Sequence, residues 1–267
     1  MGRKKFWRYI LRHAERPWDA IRLVRFARTG SLDRPVSAPV DFLFRFEEGR
    51  RVVSLREGTT DIDVFTEIFR DRIYAPPPGF QPRTIVDIGG NIGIASLYFS
   101  LLHPEARVEI FEPVPENLAI LRRNVEQNGL SRIGIHPFGM GAGDGELTLS
   151  AEAEGKFGSF SASRKEGAHP IRVPIRDAGA AWDELGLDRV DLLKIDCEGA
   201  EVDLLRSLGD RLERVEVLIG ELHADLCDIC EAIHLLSRHH QVDFEKAIGQ
   251  SVFPFRASRR PWDAYAS

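Results

Sequence analysis

The sequence has little cysteine and no long apolar run, and both absences limit what the protein can be. Its three cysteines, Cys197, Cys227 and Cys230, are too few to build the disulfide framework of a secreted chain of 267 residues. No apolar run approaches the roughly 20 residues that a membrane-spanning helix needs, and the N-terminus lacks the features of a signal peptide. We therefore expect a protein of the cytoplasm, where thiols stay reduced.

The chain also lacks a net positive charge, because its 36 Lys and Arg are outnumbered by 41 Asp and Glu and the formal net charge is −5. Proteins that bind nucleic acid generally need a basic face that displaces counterions, so this balance argues against a general nucleic-acid binder. The cations concentrate in residues 1–30, where nine Lys and Arg stand against Glu15 and Asp19. The net charge of this segment is near +7, which leaves a net charge of about −12 for the rest of the chain.

The basic segment interleaves its cations with large apolar residues, a pattern that suits two short amphipathic helices broken near Pro17. The favoured interpretation is a helical flap packed on the acidic body. The alternative is contact with an anionic membrane surface, which would make the protein peripheral to the membrane.

Shorter elements follow the basic segment. Residues 42–46 and 51–55 resemble strands, and Thr60 with Asp63 resembles a capping pair before a helix over residues 64–74. The proline-rich stretch 76–79 is typical of a linker. We therefore expect an N-terminal helical and β extension over residues 1–79 and a main domain over residues 80–267.

From Thr84 onward, buried strands alternate with amphipathic helices. Strands are predicted at 84–88, 107–111, 133–138, 190–195 and 215–219, and helices at 92–102, 115–128, 200–207 and 225–238. This alternation predicts an α/β fold with a doubly wound, mostly parallel sheet. It lapses at about 145–176, where we expect an inserted hairpin region. Within it, residues 158–161 could close over a bound molecule or form a solvent-facing loop.

The strongest local motif is the glycine-rich turn VDIGGNIG at residues 86–93, where the first core strand meets its helix. A dinucleotide fingerprint would need glycine where Asn91 stands, so NAD is disfavoured. Asp87 is placed to attract the ammonium group of an amino-acid-bearing cofactor. Glu112 ends the second strand, where it can accept hydrogen bonds from both ribose hydroxyls of a nucleoside.

Three motifs make the sequence resemble the FkbM family of S-adenosylmethionine-dependent methyltransferases. They are the turn with Asp87, Gly89, Asn91 and Gly93; FEP at 111–113 followed by Asn117, Asn124 and Asn128; and VDLLKIDCEGAE at 190–201. The resemblance covers about residues 60–245. It implies a class I methyltransferase, Rossmann-like fold in which the sheet has seven strands and one of them is antiparallel. Residues 241–246 and 252–255 would supply the final hairpin.

The resemblance also implies the cofactor and the usual reaction, O-methylation. S-adenosylmethionine would be the cofactor. The residues expected to bind it are Asp87, Gly89, Gly90, Asn91, Gly93, Glu112 and Asn117. The acceptor would be a hydroxyl on a sugar, a polyketide or another small molecule.

Candidate catalytic residues follow the fourth and fifth core strands. In parallel α/β sheets the chemistry lies at the carboxyl ends of the strands, so Asp196, Glu198, Glu221 and His223 are candidates to take a proton from a hydroxyl acceptor or to orient it. A structural role for His223 stays open. Lys194 is unusual in an apolar strand, and we expect it to fix Asp196 or Glu198.

No metal site is favoured, although ligand types are present. Cys227 and Cys230 fall in a predicted helix and form only one cysteine pair, which argues against structural zinc. Magnesium held by carboxylates is the alternative.

Two other functions compete with O-methylation. A nucleic-acid or N-directed methyltransferase would predict a basic channel and, for base amines, an Asn/Asp-Pro-Pro-aromatic motif where residues 196–199 read DCEG. A non-catalytic partner module would bind the cofactor and act through the basic arm. The presence of Asp87, Glu112 and Asp196 counts against this last possibility.

Overall fold

A computed structural model describes residues 3–29, 38–150, 170–249 and 251–266. The stretch 158–161, expected to close over a ligand or to face solvent, lies outside these described residues. Within them, none of the helices combines the length and the apolar character needed to cross a membrane.

The chain alternates helices and strands as expected. The helices are α1 (Arg3–His13), α2 (Pro17–Thr29), α3 (Asp61–Phe69), α4 (Ile94–Leu102), α5 (Pro115–Gln127), α6 (Ala178–Glu184), α7 (Glu201–Leu208) and α8 (Ile229–Ser237). The strands are β1 (Val40–Arg45), β2 (Arg50–Leu55), β3 (Thr84–Ile88), β4 (Arg107–Phe111), β5 (Ile133–His136), β6 (Gly139–Gly141), β7 (Gly145–Ser150), β8 (Pro170–Asp177), β9 (Val190–Ile195), β10 (Val215–His223), β11 (Gln241–Phe244) and β12 (Val252–Ser258).

The central sheet has seven strands in the order β11-β12-β10-β9-β3-β4-β5. Strands β10, β9, β3, β4 and β5 pair in parallel, whereas β12 is antiparallel to both β10 and β11. The predicted mostly parallel sheet with one antiparallel strand is therefore confirmed. The chain leaves β3 towards β4 on one side and returns through β9 on the other, and ligands of such sheets bind at this switch in direction.

A smaller three-stranded sheet lies beside the central one. β7 pairs with β8 antiparallel, and β6 pairs with β8 in parallel. Leu149 and Val173 of this sheet pack against Val114, which follows β4. The strand predicted over 133–138 is shorter, because β5 ends at His136 and the chain then joins the smaller sheet at Gly139.

Two predicted helices have different bounds. α3 starts at Asp61, and the side chain of Thr60 makes no capping hydrogen bond, so the predicted capping pair of Thr60 and Asp63 is wrong. The Asp61 carboxylate instead pairs with Arg56 at 2.9 Å. The helix ends at Phe69 rather than at residue 74. α8 starts at Ile229, where the Asp228 side chain caps it, so the helix predicted from residue 225 begins four residues too early.

The N-terminal elements share an apolar core with the main domain. Phe44 of β1 stacks on Phe65 of α3 with ring centroids 4.4 Å apart, and Phe46 stacks on Phe69 at 4.8 Å. Ile10 of α1 is completely buried in the same cluster, which continues into α4. Burial of these side chains fixes α3 against β1 and α4.

Asparagines of α5 attach β2 to the domain. The Asn124 amide accepts a hydrogen bond from the backbone N–H of Ser54 at 2.7 Å and donates to the carbonyl of Ile92 at 2.8 Å. Asn128 accepts from the N–H of Val52 at 2.9 Å and donates to its carbonyl at 2.7 Å. Both asparagines therefore pair with the strand as a neighbouring strand would.

We expect Asn124→Ala to lower the free energy of unfolding by about 2–4 kcal/mol, because the buried N–H of Ser54 and the carbonyl of Ile92 lose their partner. Urea unfolding followed by circular dichroism measures this. Arg122→Ala, on an exposed position of the same helix, should change stability by less than about 0.5 kcal/mol. Equal stability of the two variants would contradict the attachment.

Candidate functional site

A buried lysine joins the two central strands beneath the glycine-rich turn. The Lys194 ammonium lies 3.1 Å from Asp87 Oδ1 and 3.7 Å from Asp196 Oδ2, and it donates to the carbonyl of Gly89 at 2.7 Å. Burial alone would lower the pKa of Lys194, but Asp87 and Asp196 outweigh it and raise that pKa. The predicted link to Asp196 is present, whereas the other carboxylate partner is Asp87 and not Glu198.

Asp87 lies beneath the site and does not line it. Its side chain is completely buried, with Oδ1 beside Lys194 and Oδ2 accepting a hydrogen bond from the Ser96 hydroxyl at 2.7 Å. This position contrasts with the direct contact to an ammonium group expected from the sequence. Asp87 affects the site through Lys194 and the turn.

The turn itself brings the ends of β3 and β9 into close contact. Gly89 has φ +79°, and a β-carbon there would lie only 1.7 Å from the carbonyl oxygen of Asp196. Asn91 has φ +48°, and its Oδ1 is buried without a hydrogen-bond partner among the described residues. The Asn91 amide is therefore available to a ligand.

A first cavity of about 280 Å³ opens between the turn, the end of β4 and the smaller sheet. Its lining includes Gly89, Asn91, Phe111, Glu112, Asn117, Met140 and Val173. Glu112 accepts the backbone N–H of Asn91 at 2.7 Å and that of Val114 at 2.8 Å, and burial raises its pKa to about 7 against these hydrogen bonds. The Asn117 side chain makes a further hydrogen bond to this carboxylate. Three of its roughly four lone-pair sites are then used, which leaves one for a hydroxyl donor.

Asn117 is fixed from the N-terminal side of the chain. Its Oδ1 accepts a hydrogen bond from Arg56 at 3.1 Å, and Arg56 is held by the buried ion pair with Asp61. The segment between β2 and α3 therefore supports the wall of the first cavity.

A second cavity of about 380 Å³ adjoins the first. The two share Gly89, Asn91, Asp196 and Glu198 in their linings. The second is lined as well by Glu67, Tyr74, Lys194, Glu221 and His223. A molecule in each cavity would therefore meet its neighbour beside Asp196.

Three potential proton acceptors converge in the second cavity. Three side-chain atoms lie within 4.8 Å of one another: a carboxylate oxygen of Asp196, a carboxylate oxygen of Glu221 and a ring nitrogen of His223. This spacing would also suit a divalent cation. Tyr74 donates to Asp196 Oδ2 at 2.9 Å, whereas Oδ1 is buried without a partner in the described ranges. Burial, with the charge of Asp196, raises the pKa of Glu221 to about 8.

His223 is fixed between two carboxylates. Its Nδ1 lies 2.9 Å from Oε1 of the completely buried Glu201, and its Nε2 lies 3.3 Å from Glu198 Oε2. Burial alone would lower the pKa of His223, but the hydrogen bond with Glu201 and the charge of Glu198 raise it to about 9. Burial and Asp196 in turn raise the pKa of Glu198 to about 8.

The sequence did not identify three residues of this region. Glu201 stands in the DCEGAE run, where an acid at the start of an amphipathic helix could have been recognised as a partner for a histidine. Glu67 and Tyr74 come from the N-terminal extension, and no motif distinguishes them. Conversely, Cys227 precedes α8 and Cys230 is exposed, and neither joins the group of potential ligands found among the described residues.

The strand order and the turn at the switch between β3 and β9 define a class I methyltransferase fold. Residues 87–245 match the family model described as "Methyltransferase FkbM domain", and the chain belongs to that family. The predicted resemblance is confirmed. The protein is an S-adenosylmethionine-dependent methyltransferase.

Individual proteins of similar sequence are also named as methyltransferases. The chain is 33% identical over 184 residues to Methyltransferase 1 of Beauveria bassiana, and the match covers 62% of this chain and 73% of the relative. It is 26% identical to the 31-O-demethyl-FK506 methyltransferase FkbM of Streptomyces tacrolimicus, over 73% of this chain and 86% of the relative. It is 29% identical to the 2-O-methyltransferase NoeI of Sinorhizobium fredii, over 67% and 74% respectively.

We expect Lys194→Met to destabilise the protein by about 3–5 kcal/mol, because it leaves the buried Asp87 carboxylate unpaired. Adding Asp87→Asn should restore about 1–3 kcal/mol of that loss, since the two side chains are coupled. Denaturant unfolding of the two single variants and the double variant measures the coupling.

Lys246→Met, at an exposed position, is the matched control and should change stability by less than about 0.5 kcal/mol. Strict additivity of the Lys194 and Asp87 substitutions would show that the pair is not coupled.

Proposed function

We propose that the protein transfers a methyl group from S-adenosylmethionine to a hydroxyl group on a saccharide or another small molecule. The observation that carries this proposal is the meeting of two cavities beside Asp196. The first offers acceptors for a nucleoside, and the second offers groups that can take a proton. Methyl transfer needs both functions side by side, because donor and acceptor must approach in line.

The residues of the first cavity fit the cofactor. Glu112 would accept a ribose hydroxyl at the lone-pair site that the backbone N–H groups of Asn91 and Val114 and the Asn117 side chain leave free. Gly89 and Asn91 line both cavities at the turn, where the cofactor would pass, and Oδ1 of Asn91 has no hydrogen-bond partner among the described residues. Gly90 lines only the second cavity, and Gly93 lines neither. Asn117 supports the opposite wall. When bound, S-adenosylmethionine supplies an electrophilic methyl group.

Glu221 is the proposed general base. A hydroxyl acceptor must lose its proton as it attacks, and a base is most effective when its pKa lies near the working pH. The pKa of Glu221, about 8, meets this condition. Asp196 is held by Tyr74 and Lys194, so we assign it the orientation of the acceptor hydroxyl.

His223 and Glu198 complete the wall behind the acceptor. The hydrogen bond that His223 Nδ1 donates to Glu201 fixes the imidazole ring, and the raised pKa keeps the ring cationic at neutral pH. A cationic His223 beside Glu198 limits the repulsion among the carboxylates. We therefore propose a positioning role for His223 rather than proton abstraction.

The charge of the second cavity supports an uncharged acceptor. Four carboxyl groups line it, those of Glu67, Asp196, Glu198 and Glu221, whereas the cations Lys194 and His223 already have carboxylate partners. Above the raised pKa values of Glu198 and Glu221, such a lining is negatively charged and repels the phosphates of a nucleic acid. The names of two relatives, a 31-O-demethyl-FK506 methyltransferase and a 2-O-methyltransferase, agree with oxygen as the methylated atom.

The test is mass-spectrometric detection of methylated products after incubation with S-adenosylmethionine and a panel of hydroxylated saccharides and polyketides. We expect Glu221→Gln to lower kcat by about 10²–10⁴-fold, the usual contribution of a general base, with the cofactor Kd from calorimetry unchanged. Glu112→Gln should weaken cofactor binding instead. Glu126→Gln, at an exposed position of α5, is the control and should match the wild type.

The pH profile gives an independent readout. Because Glu221 must be ionised to act as the base, wild-type kcat should rise as the pH increases through about 8 and then level off. Glu221→Gln should lose this rise. Retention of full kcat by Glu221→Gln would contradict the assignment.

Chelation separates direct proton transfer from metal assistance. With Glu221 as the base, EDTA should leave kcat unchanged. Loss of activity in EDTA that Mg²⁺ restores would instead make Asp196, Glu221 and His223 metal ligands, and the general-base role would be rejected.

A further inference from the structure

The N-terminal helices present a basic and apolar face to solvent. On α1 the exposed side chains include Arg8, Leu11 and Arg12, and on α2 they include Trp18, Ile21 and Arg22. In both helices this spacing places the three side chains on one face. The exposed Arg16 lies in the turn between the helices. None of these residues lines either cavity.

The apolar side chains of this face are unusually accessible. Leu11 is 67% exposed, Trp18 is 74% exposed and Ile21 is 60% exposed. The other large apolar side chains that are exposed in the described part of the chain reach at most 41%. A concentration of exposed apolar surface between residues 11 and 21 is typical of an interaction site.

The two acids of the segment are turned away from this face. Asp19 is buried and accepts a hydrogen bond from the backbone N–H of Leu43 at 3.1 Å. Glu15 pairs with Arg45 and Arg50, each at 2.9 Å. The exposed face therefore carries cations beside apolar groups, on a chain whose net charge is −5.

We propose that this face binds an anionic lipid surface. Helices that lie in a membrane interface bury aliphatic and Trp side chains among the lipids while their arginines contact the headgroups. Arg8, Leu11 and Arg12 supply both kinds of group on one face of α1. Trp18, Ile21 and Arg22 do the same on one face of α2. An acidic soluble partner would match the cations alone. The proposal does not depend on which acceptor is methylated.

Co-sedimentation of the full chain with vesicles tests the proposal. We expect binding to vesicles of equimolar phosphatidylcholine and phosphatidylglycerol, weakening as salt is added, and no binding to phosphatidylcholine alone. Arg8→Gln/Arg12→Gln should lower the partition coefficient by about 25-fold, because each cation near the surface contributes roughly fivefold. Arg122→Gln/Arg132→Gln has the same net charge and should bind as the wild type does.

The apolar contribution is tested separately. Trp18→Ser/Ile21→Ser should lower the partition coefficient by at least about tenfold, whereas Phe244→Ser/Ile248→Ser, which removes exposed apolar groups elsewhere, should not. Unchanged thermal unfolding and cofactor binding would verify that each variant folds.

Two results would overturn the proposal. One is failure of the wild type to bind the anionic vesicles. The other is self-association of the wild type in sedimentation equilibrium that Trp18→Ser/Ile21→Ser abolishes, which would assign the face to a second copy of the chain.

Discussion

The ion pair between Lys194 and Asp87 is the interaction on which the site depends. Lys194 is a buried lysine on β9 and requires a carboxylate partner. Asp87 provides that carboxylate from the neighbouring strand β3. The same ammonium contacts the carbonyl of Gly89 and the carboxylate of Asp196. One buried charge therefore fixes the turn and Asp196, where the two cavities meet.

The N-terminal extension completes both cavities. Arg56 orients Asn117 at the first, and α3 with the segment after it brings Glu67 and Tyr74 to the second. Asn124 and Asn128 hold β2, and stacked phenylalanines hold α3. The cavity walls that the extension provides are therefore attached by the same packing that stabilises the domain. The second cavity, which carboxyl groups line, therefore lies beside the proposed cofactor site.

The sequence allowed much of the fold to be predicted, because buried strands and amphipathic helices have distinct periodicities. The predicted strands also allowed the turn, Glu112 and Asp196 to be placed, because residues at the carboxyl ends of parallel strands converge. The pairing of Lys194 with Asp87 depends on strand order and register, which local patterns do not specify. Tyr74 and Glu67 reach the site from a distant segment, so no spacing in the sequence predicts them.

The proposed mechanism requires that a nucleoside binds at Glu112 and that the acceptor binds beside Asp196 and Glu221. A crystal structure with S-adenosylhomocysteine tests it most directly. We predict a ribose hydroxyl on the Glu112 carboxylate and the sulfur directed across the turn towards the second cavity. Adenosine bound in the second cavity, or a ribose that makes no contact with Glu112, would contradict the account.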